Sequence, residues 1–255
     1  TTACKRASSL RLLLVGRTDV PYAPPLYYFR HALLPLLHHV LTRNAIELPP
    51  AMRLSCFRRG FYPKGGGVVE LSVEQPSRSC LHLSALQLAD SNHSSRTALR
   101  RLQLYSCFNR HDPTLVAKLA EGARSVLHEF APEVLLEIAT DDTEEQNERD
   151  KDITGGRMQQ ESSSAKRVRH GQDDRDSGAL EAGVVLVATM VSGLPVASDI
   201  RTSIPVDVQG QRSTLHDSLH ELGKSAASQL VETIQKIICV DSFMQDQVCN
   251  IKNHS

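Results

Sequence analysis

The chain carries 29 basic and 29 acidic side chains in 255 residues, a formal net charge of zero, so no global field draws it to nucleic acid and any RNA site must be a local patch. That length suits one large or two small domains, and no apolar run is long enough to span a membrane. Tryptophan is absent and aromatic residues make up 4%, which argues against a surface built mainly on base stacking, while six scattered cysteines without a Cys-x-x-Cys pair fit reduced intracellular thiols rather than a disulfide framework or a zinc site.

The first residues, Thr1-Thr2-Ala3-Cys4-Lys5-Arg6, include neither an initiator methionine nor the apolar core of a signal peptide, and a fragment or a processed form is expected. Leu10 to Val15 is short and apolar, the pattern of a buried strand. Gly16-Arg17-Thr18-Asp19 ends it, and Val20-Pro21-Tyr22-Ala23-Pro24-Pro25 is a stiff segment in which no helix can run. Leu26, Phe29, Leu33, Leu36, Leu37 and Val40 then share one helical face, with Pro35 set to kink or restart the helix. His31, His38 and His39 lie on this helix, but no carboxylate or cysteine joins them, so they are expected on a solvated face and no metal site is assigned.

Ala51 to Phe57 alternates apolar and polar residues, as does Val68 to Val73. Between them stands Arg58-Arg59-Gly60-Phe61-Tyr62-Pro63-Lys64-Gly65-Gly66-Gly67. Three successive glycines cost more backbone entropy than a hairpin turn requires. They let a backbone pass close to a ligand or another chain, and Arg58, Arg59 and Lys64 set positive charge beside it. A Walker phosphate loop is excluded, because there the lysine follows the glycines and a helix follows the lysine. A glycine-rich hairpin with a solvated basic rim remains the alternative.

Beyond Gln75-Pro76-Ser77, Leu81 to Leu88 is a further short apolar segment and Asp90 to Ser95 is a loop by composition. Leu99 to Phe108 reads as a strand. Asp112-Pro113 starts a helix with apolar Leu115, Leu119, Val126, Leu127 and Phe130, and Val134 to Ile138 reads as a second strand. A strand from Gly183 to Met190 completes a small α/β unit. The segment 141–182 is polar with isolated apolar residues and is expected to be disordered. Within it, Lys166-Arg167-Val168-Arg169 suits a nuclear import signal, an RNA-binding arm or a solvated charge cluster. From Leu215, the spacing of Leu219, Leu222, Ala226, Leu230 and Ile234 predicts a long amphipathic helix.

Arg58 to Val69 resembles the signature of the RNA 3'-terminal phosphate cyclases, and the likeness extends along most of the chain. Gly16-Arg17-Thr18-Asp19 stands where the family has Gly-Gly-Thr-Asn/Asp, with Arg17 a departure that either crowds the backbone or reaches toward a phosphate. Ala23-Pro24-Pro25, the helix from Phe29 to Leu37, Glu221 to Ala227, and Cys239 to Gln247 resemble further family segments. The resemblance implies an α/β (α+β) fold of repeated units, each a four-stranded sheet with two helices, plus a smaller inserted α/β domain. It divides this chain into 1–84 (main domain, first part), 85–206 (insert) and 207–255 (main domain, return helix and ATP-contact segment).

The resemblance also implies ATP and Mg2+ as cofactors and RNA with a 3'-terminal phosphate as substrate. By position, Pro24, Phe243, Asp246 and Gln247 contact ATP, while Arg58, Arg59, Lys64, Gly65, Gly66, Gly67 and Arg17 are the candidates for phosphate or RNA binding. Phe243 keeps the family's ring without its hydroxyl. In the family a histidine takes AMP from ATP and passes it to the RNA 3'-phosphate, which closes to a 2',3'-cyclic phosphate. Neither that histidine's setting nor the family's earlier Glu-Gly-Gly-Gly-Gln segment has a counterpart here, and His254 lacks the flanking residues. Two expectations follow: an incomplete cyclase, or a non-catalytic cyclase-like protein of ribosomal RNA processing that binds RNA or a partner covering the absent repeat. The expected location is intracellular, nuclear rather than cytoplasmic.

Overall fold

The alternation on either side of the glycine turn builds a three-stranded antiparallel sheet. Its strands are β1 (Ser9–Gly16), β2 (Ala51–Arg58) and β3 (Gly67–Glu74), in the order β1-β3-β2. The structure is a computed structural model and describes residues 9–20, 23–44, 51–61, 65–74, 98–109, 112–139, 179–205 and 212–236. The segments expected at 75–77, 81–88 and 90–95, the tract 141–178 with Lys166–Arg169, and the segment 239–247 lie outside the described residues.

The buried-strand expectation for Leu10–Val15 is half corrected. The strand forms, but every residue of β1 is exposed, Leu13 at 63% and Val15 at 71%. The helix that covers this sheet packs Leu26 and Leu34 onto Leu54, Cys56 and Val69 of β2 and β3. It does not extend over β1, and no strand among the described residues lies along the outer edge of β1.

That helix is divided by Pro35, which has no N–H for the carbonyl of His31 and whose ring crowds it. The chain runs as α1 (Leu26–Tyr28), a π-helical turn (Phe29–Leu33) and α2 (Leu34–Asn44). In the π turn the Leu34 N–H reaches back five residues to the Phe29 carbonyl. The extra residue rotates the helix face, so the single apolar stripe read from the sequence becomes two. Leu26, Phe29, Leu34 and Leu37 face the three-stranded sheet, whereas Tyr27, Tyr28, Ala32 and Leu36 enter a second, larger core.

The larger core belongs to a four-stranded sheet of β4 (Leu99–Phe108), β5 (Leu136–Ala139), β6 (Ala179–Met190) and β7 (Pro195–Pro205), in the order β5-β4-β6-β7. β4 and β5 are parallel, and the other pairs are antiparallel. β6 begins four residues before the expected Gly183, so Ala179-Leu180-Glu181-Ala182, read as the end of the disordered tract, are strand; they pair with β7 and bury Leu180 and Ala182, which makes them part of the apolar run that follows and not of the polar tract before it. Two helices, α3 (Pro113–Phe130) and α4 (Arg212–Gln235), pack on one face through Leu119, Ala123, Leu222, Ala226 and Leu230. Asp112 caps α3 as expected, its Oδ1 accepting the Thr114 N–H at 2.9 Å. The helices cross at two glycines: a Cβ at Gly122 would overlap the His220 carbonyl, and one at Gly223 the Leu119 carbonyl. The opposite face of the sheet receives Tyr27, Tyr28 and the π turn. β6 is therefore covered on both faces, which is why its Gly183–Ala188 stretch is a continuous buried run. Mixed strands and helices in two sheets make this an α+β fold.

Candidate functional site

The glycine turn is shaped by a bulge and by two close backbone approaches. The β2–β3 register shifts between Cys56 and Arg58, so Phe57 is the extra residue and the strand's alternation breaks there. Gly65 (φ +67°) and Gly66 (φ +77°) occupy the left-handed region that disfavours any side chain. The Gly65 N–H donates to the Phe61 carbonyl at 2.7 Å. Gly67 is required for a different reason. Its Cβ would lie 2.7 Å from both the Gly60 nitrogen and Thr18 Cγ2. Gly60 answers it, since a side chain there would run into Gly67 and the Gly16 carbonyl. The ends of all three strands thus converge on this turn.

Two cations flank it. Arg58 is exposed, and its Nε donates to the Gly66 carbonyl at 2.5 Å. Arg17 is exposed as well, with its stem against Gly65, where an added Cβ would sit 3.3 Å from Arg17 Cγ. Lys64 lies outside the described residues, as do Phe243, Asp246 and Gln247. Pro24 is exposed and precedes the start of α1, where the Phe29 N–H closes on the Pro25 carbonyl at 3.0 Å.

Arg59 goes the other way. Its side chain is 13% exposed, and Nη1 pairs at 2.8 Å with Oδ2 of Asp19, whose side chain is 4% exposed. The guanidinium lies 3.7 Å from the centre of the Tyr27 ring, and Nη1 is also 3.3 Å from Cys107 Sγ on β4. Asp19 Oδ2 accepts the Thr18 hydroxyl at 2.8 Å, and the Thr18 oxygen accepts the Gly60 N–H at 3.1 Å. The Thr18 N–H in turn donates to the Gly60 carbonyl at 3.0 Å. Burial pushes the Cys107 thiol up to about 12, against the pull of Arg59, so this sulfur is a packed neutral group and not a nucleophile.

An aromatic group lies beneath the ion pair. The His31 ring stacks on Tyr105 with centroids 4.0 Å apart, and Tyr27 meets Tyr105 at 5.2 Å. The solvated face expected of the three histidines therefore holds for exposed His38 but not for His31, because the π turn swings it onto β4, nor for half-buried His39, whose Nε2 is buried and whose ring lies beside Gly193. Among the described residues no three His, Cys, Asp or Glu side chains stand together as a metal would need.

Sequence reasoning missed the inner residues. Asp19 is the last residue of the Gly-Arg-Thr-Asp segment, and that place at a strand end was the one available signal; its burial shows only in the structure. Tyr27, Tyr105, Cys107 and Arg201 gave none, since they come from three elements far apart in the chain, α1, β4 and β7. Arg201 on β7 donates from Nη1 to the Val20 carbonyl at 2.6 Å and from Nη2 to the Ala23 carbonyl at 2.8 Å.

The sequence profile of the RNA 3'-terminal phosphate cyclase family matches residues 1–251. The chain belongs to that family. It is 34% identical over 130 residues to the RNA 3'-terminal phosphate cyclase of Nitrosospira multiformis, covering 51% of this chain and 32% of that protein. The cyclase of Halobacterium salinarum is 46% identical over 118 residues, 46% of this chain and 30% of the relative. The cyclase of Drosophila melanogaster is 22% identical over 242 residues, 93% of this chain and 50% of the relative. The chain therefore spans between 30% and 50% of the length of these three cyclases.

Proposed function

We propose that this chain carries part of the phosphate-handling surface of an RNA 3'-terminal phosphate cyclase, which uses ATP to convert an RNA 3'-phosphate to a 2',3'-cyclic phosphate through a histidine-AMP intermediate. The observation that carries the reading is the paired exposure of Arg17 and Arg58 across a turn fixed by Gly60, Gly65, Gly66 and Gly67. A guanidinium offers several N–H donors in a fixed fork, which suits phosphoryl oxygens. A turn already held in place needs no ordering when charge develops. Arg59 acts from inside on this reading: its pairing with Asp19 holds the turn while Arg17 and Arg58 face the anion.

For ATP the described residues fit at two points, the exposed cations for phosphates and the exposed Pro24 for the base. Phe243, Asp246, Gln247 and Lys64 complete the proposed site. For Mg2+ the described residues supply no cluster of ligands, and no step is assigned to it. We read the three-stranded sheet with α1 and α2 as the main-domain unit and the four-stranded sheet as the insert. The insert then extends through α4 to Gln235, beyond the division at 206–207 read from the sequence, because α4 buries its apolar face on α3 and that sheet. Nuclear location is part of the proposal and rests on Lys166–Arg169.

The test uses the full-length protein, ATP labelled at the α-phosphate and an RNA with a 3'-phosphate. An acid-labile protein adduct and cyclised RNA are expected. Arg17→Ala and Arg58→Ala each lower RNA cyclisation by about a hundred- to a thousandfold, the range for losing one preorganised donor. Wild-type rates in both variants would refute the site. A second reading, a non-catalytic cyclase-like protein bound to RNA or a partner, is favoured by the exposure of β1 along its whole length. It predicts no adduct in the same assay.

A further inference from the structure

We propose that Arg201 is a positioning residue that presents Pro24 and Arg17 to the nucleotide, by clamping the segment between them onto the four-stranded sheet. The inference deepens the nucleotide reading above and rests on it. The physical need begins in the sequence. Val20-Pro21-Tyr22-Ala23-Pro24-Pro25 contains three prolines, so half of its residues have no N–H. The Pro25 carbonyl takes the Phe29 N–H at the start of α1, but Val20 and Ala23 lie outside every helix and strand, so their carbonyls must find donors elsewhere.

Arg201 supplies two. Its guanidinium spans the carbonyls of Val20 and Ala23 at 2.6 and 2.8 Å, from 181 and 178 residues away in sequence. A charged donor makes each bond stronger than a neutral one, and the planar fork fixes the distance between the two carbonyls. Asp199, on the same face of β7, stands 3.8 Å from Arg201 Nη2 and holds the fork from behind.

The sheet is built to receive this arm. Gly183 on β6 pairs with Arg201 on one side and with Cys107 on the other. A Cβ at Gly183 would lie 3.3 Å from Arg201 Cγ and 3.5 Å from Cys107 Cβ, so the glycine leaves the channel in which the arginine stem lies. One cross-strand row, Cys107-Gly183-Arg201, therefore meets both ends of the segment. Cys107 takes the Arg59–Asp19 end and Arg201 takes the Val20–Ala23 end. Arg17 and Pro24 flank the clamped stretch and are exposed. Their separation is set by contacts that neither residue makes itself.

The experiment compares full-length wild type, Arg201→Ala and Arg201→Lys by amide hydrogen exchange and by ATP titration of RNA cyclisation. In Arg201→Ala, exchange is expected to quicken in peptides covering 17–28 while α3 and α4 keep their protection. KM for ATP is expected to rise about tenfold with a smaller change in kcat, the size of one lost charge-assisted bond's worth of orientation. Arg201→Lys, which keeps the charge but cannot fork onto two carbonyls, restores only part of both effects. Unchanged exchange at 17–28 overturns the clamp. Quickened exchange with an unchanged KM overturns its role in nucleotide binding, and full rescue by lysine overturns the fork. Wild-type protein that binds no ATP overturns the nucleotide reading instead, and the exchange data then decide the clamp alone.

Discussion

Replacing Arg59 by methionine isolates the buried ion pair from the packing around it. The methionine keeps most of the stem, so little cavity opens. Asp19, 4% exposed, is then left with the Thr18 hydroxyl as the one side-chain donor to it among the described residues. Its Oδ1 already has no hydrogen-bond partner among them. Breaking a buried pair from one side costs about 3–5 kcal/mol, and loss of the cation over the Tyr27 ring adds about 1–2 kcal/mol. Against a total stability of about 5–15 kcal/mol this is severe. Removing the other charge as well should relieve most of it. Arg59→Met with Asp19→Asn is expected to be more stable than Arg59→Met alone by about 2 kcal/mol, because no uncompensated charge stays buried. Urea unfolding followed by circular dichroism reads both numbers at a common slope. A cost under about 1 kcal/mol for Arg59→Met, or strictly additive single variants, would show that the pair is not what anchors the turn.

Three further outcomes follow from the same structure. Gly122→Ala and Gly223→Ala would each gain about 0.5–1 kcal/mol from helix propensity alone, yet each Cβ would meet the backbone of the facing helix, which cannot swing aside. A net loss of about 1–3 kcal/mol is expected in thermal melts, and a raised melting temperature would disprove the close crossing of α3 and α4. The Cys107 thiol, pushed by burial from 9.0 up to about 12, stays protonated in the fold when an exposed thiol would ionise. Its contribution to stability is therefore complete below about pH 9 and is lost as pH rises toward 12, so Cys107→Ala should flatten the alkaline fall in stability; equal falls in both proteins would contradict the burial. Exposed Leu10, Leu12, Leu13, Leu14 and Val15, on an edge that no strand among the described residues pairs, predict that the 255-residue chain made alone self-associates, and that Leu13→Lys reduces this without lowering the melting temperature. A monomeric, cooperatively melting wild-type chain would count against it.

Local patterns were legible where they needed only near neighbours. The alternation in Ala51–Phe57 and Val68–Val73 gave the hairpin, Asp112-Pro113 gave the start of α3, and the 3.6-residue spacing from Leu219 to Ile234 gave the buried face of α4. Failures came where a distant element decided the outcome. Apolar Leu10–Val15 matched a buried strand, but burial depends on a covering layer and the helix stops short of β1. Pro35 announced a break in the helix without saying that a π turn would repair it, and that one extra residue divides the apolar face and carries His31 onto Tyr105. At the site, Arg58 and Arg59 were indistinguishable as a basic dipeptide. The bulge at Phe57 and the position of Asp19 separate them into an exposed and a buried cation.

The cost of three successive glycines now has a local cause for each. Gly65 and Gly66 take positive φ, and Gly67 yields its side-chain space to Gly60 and Thr18. A turn chosen only for reversal would need one such residue. A turn that must also bring the ends of β1, β2 and β3 within backbone contact needs all of them, and it gains rigidity in return, since Thr18 and Gly60 then exchange hydrogen bonds across the junction. The same junction is held from below by Arg59 and from the side by Arg201. Flexibility in the glycine sequence thus ends as restriction in the fold. On the phosphate-handling reading proposed above, that restriction holds the backbone that carries exposed Arg17 and Arg58, and a held backbone is what lets their guanidiniums meet a phosphoryl group without further ordering.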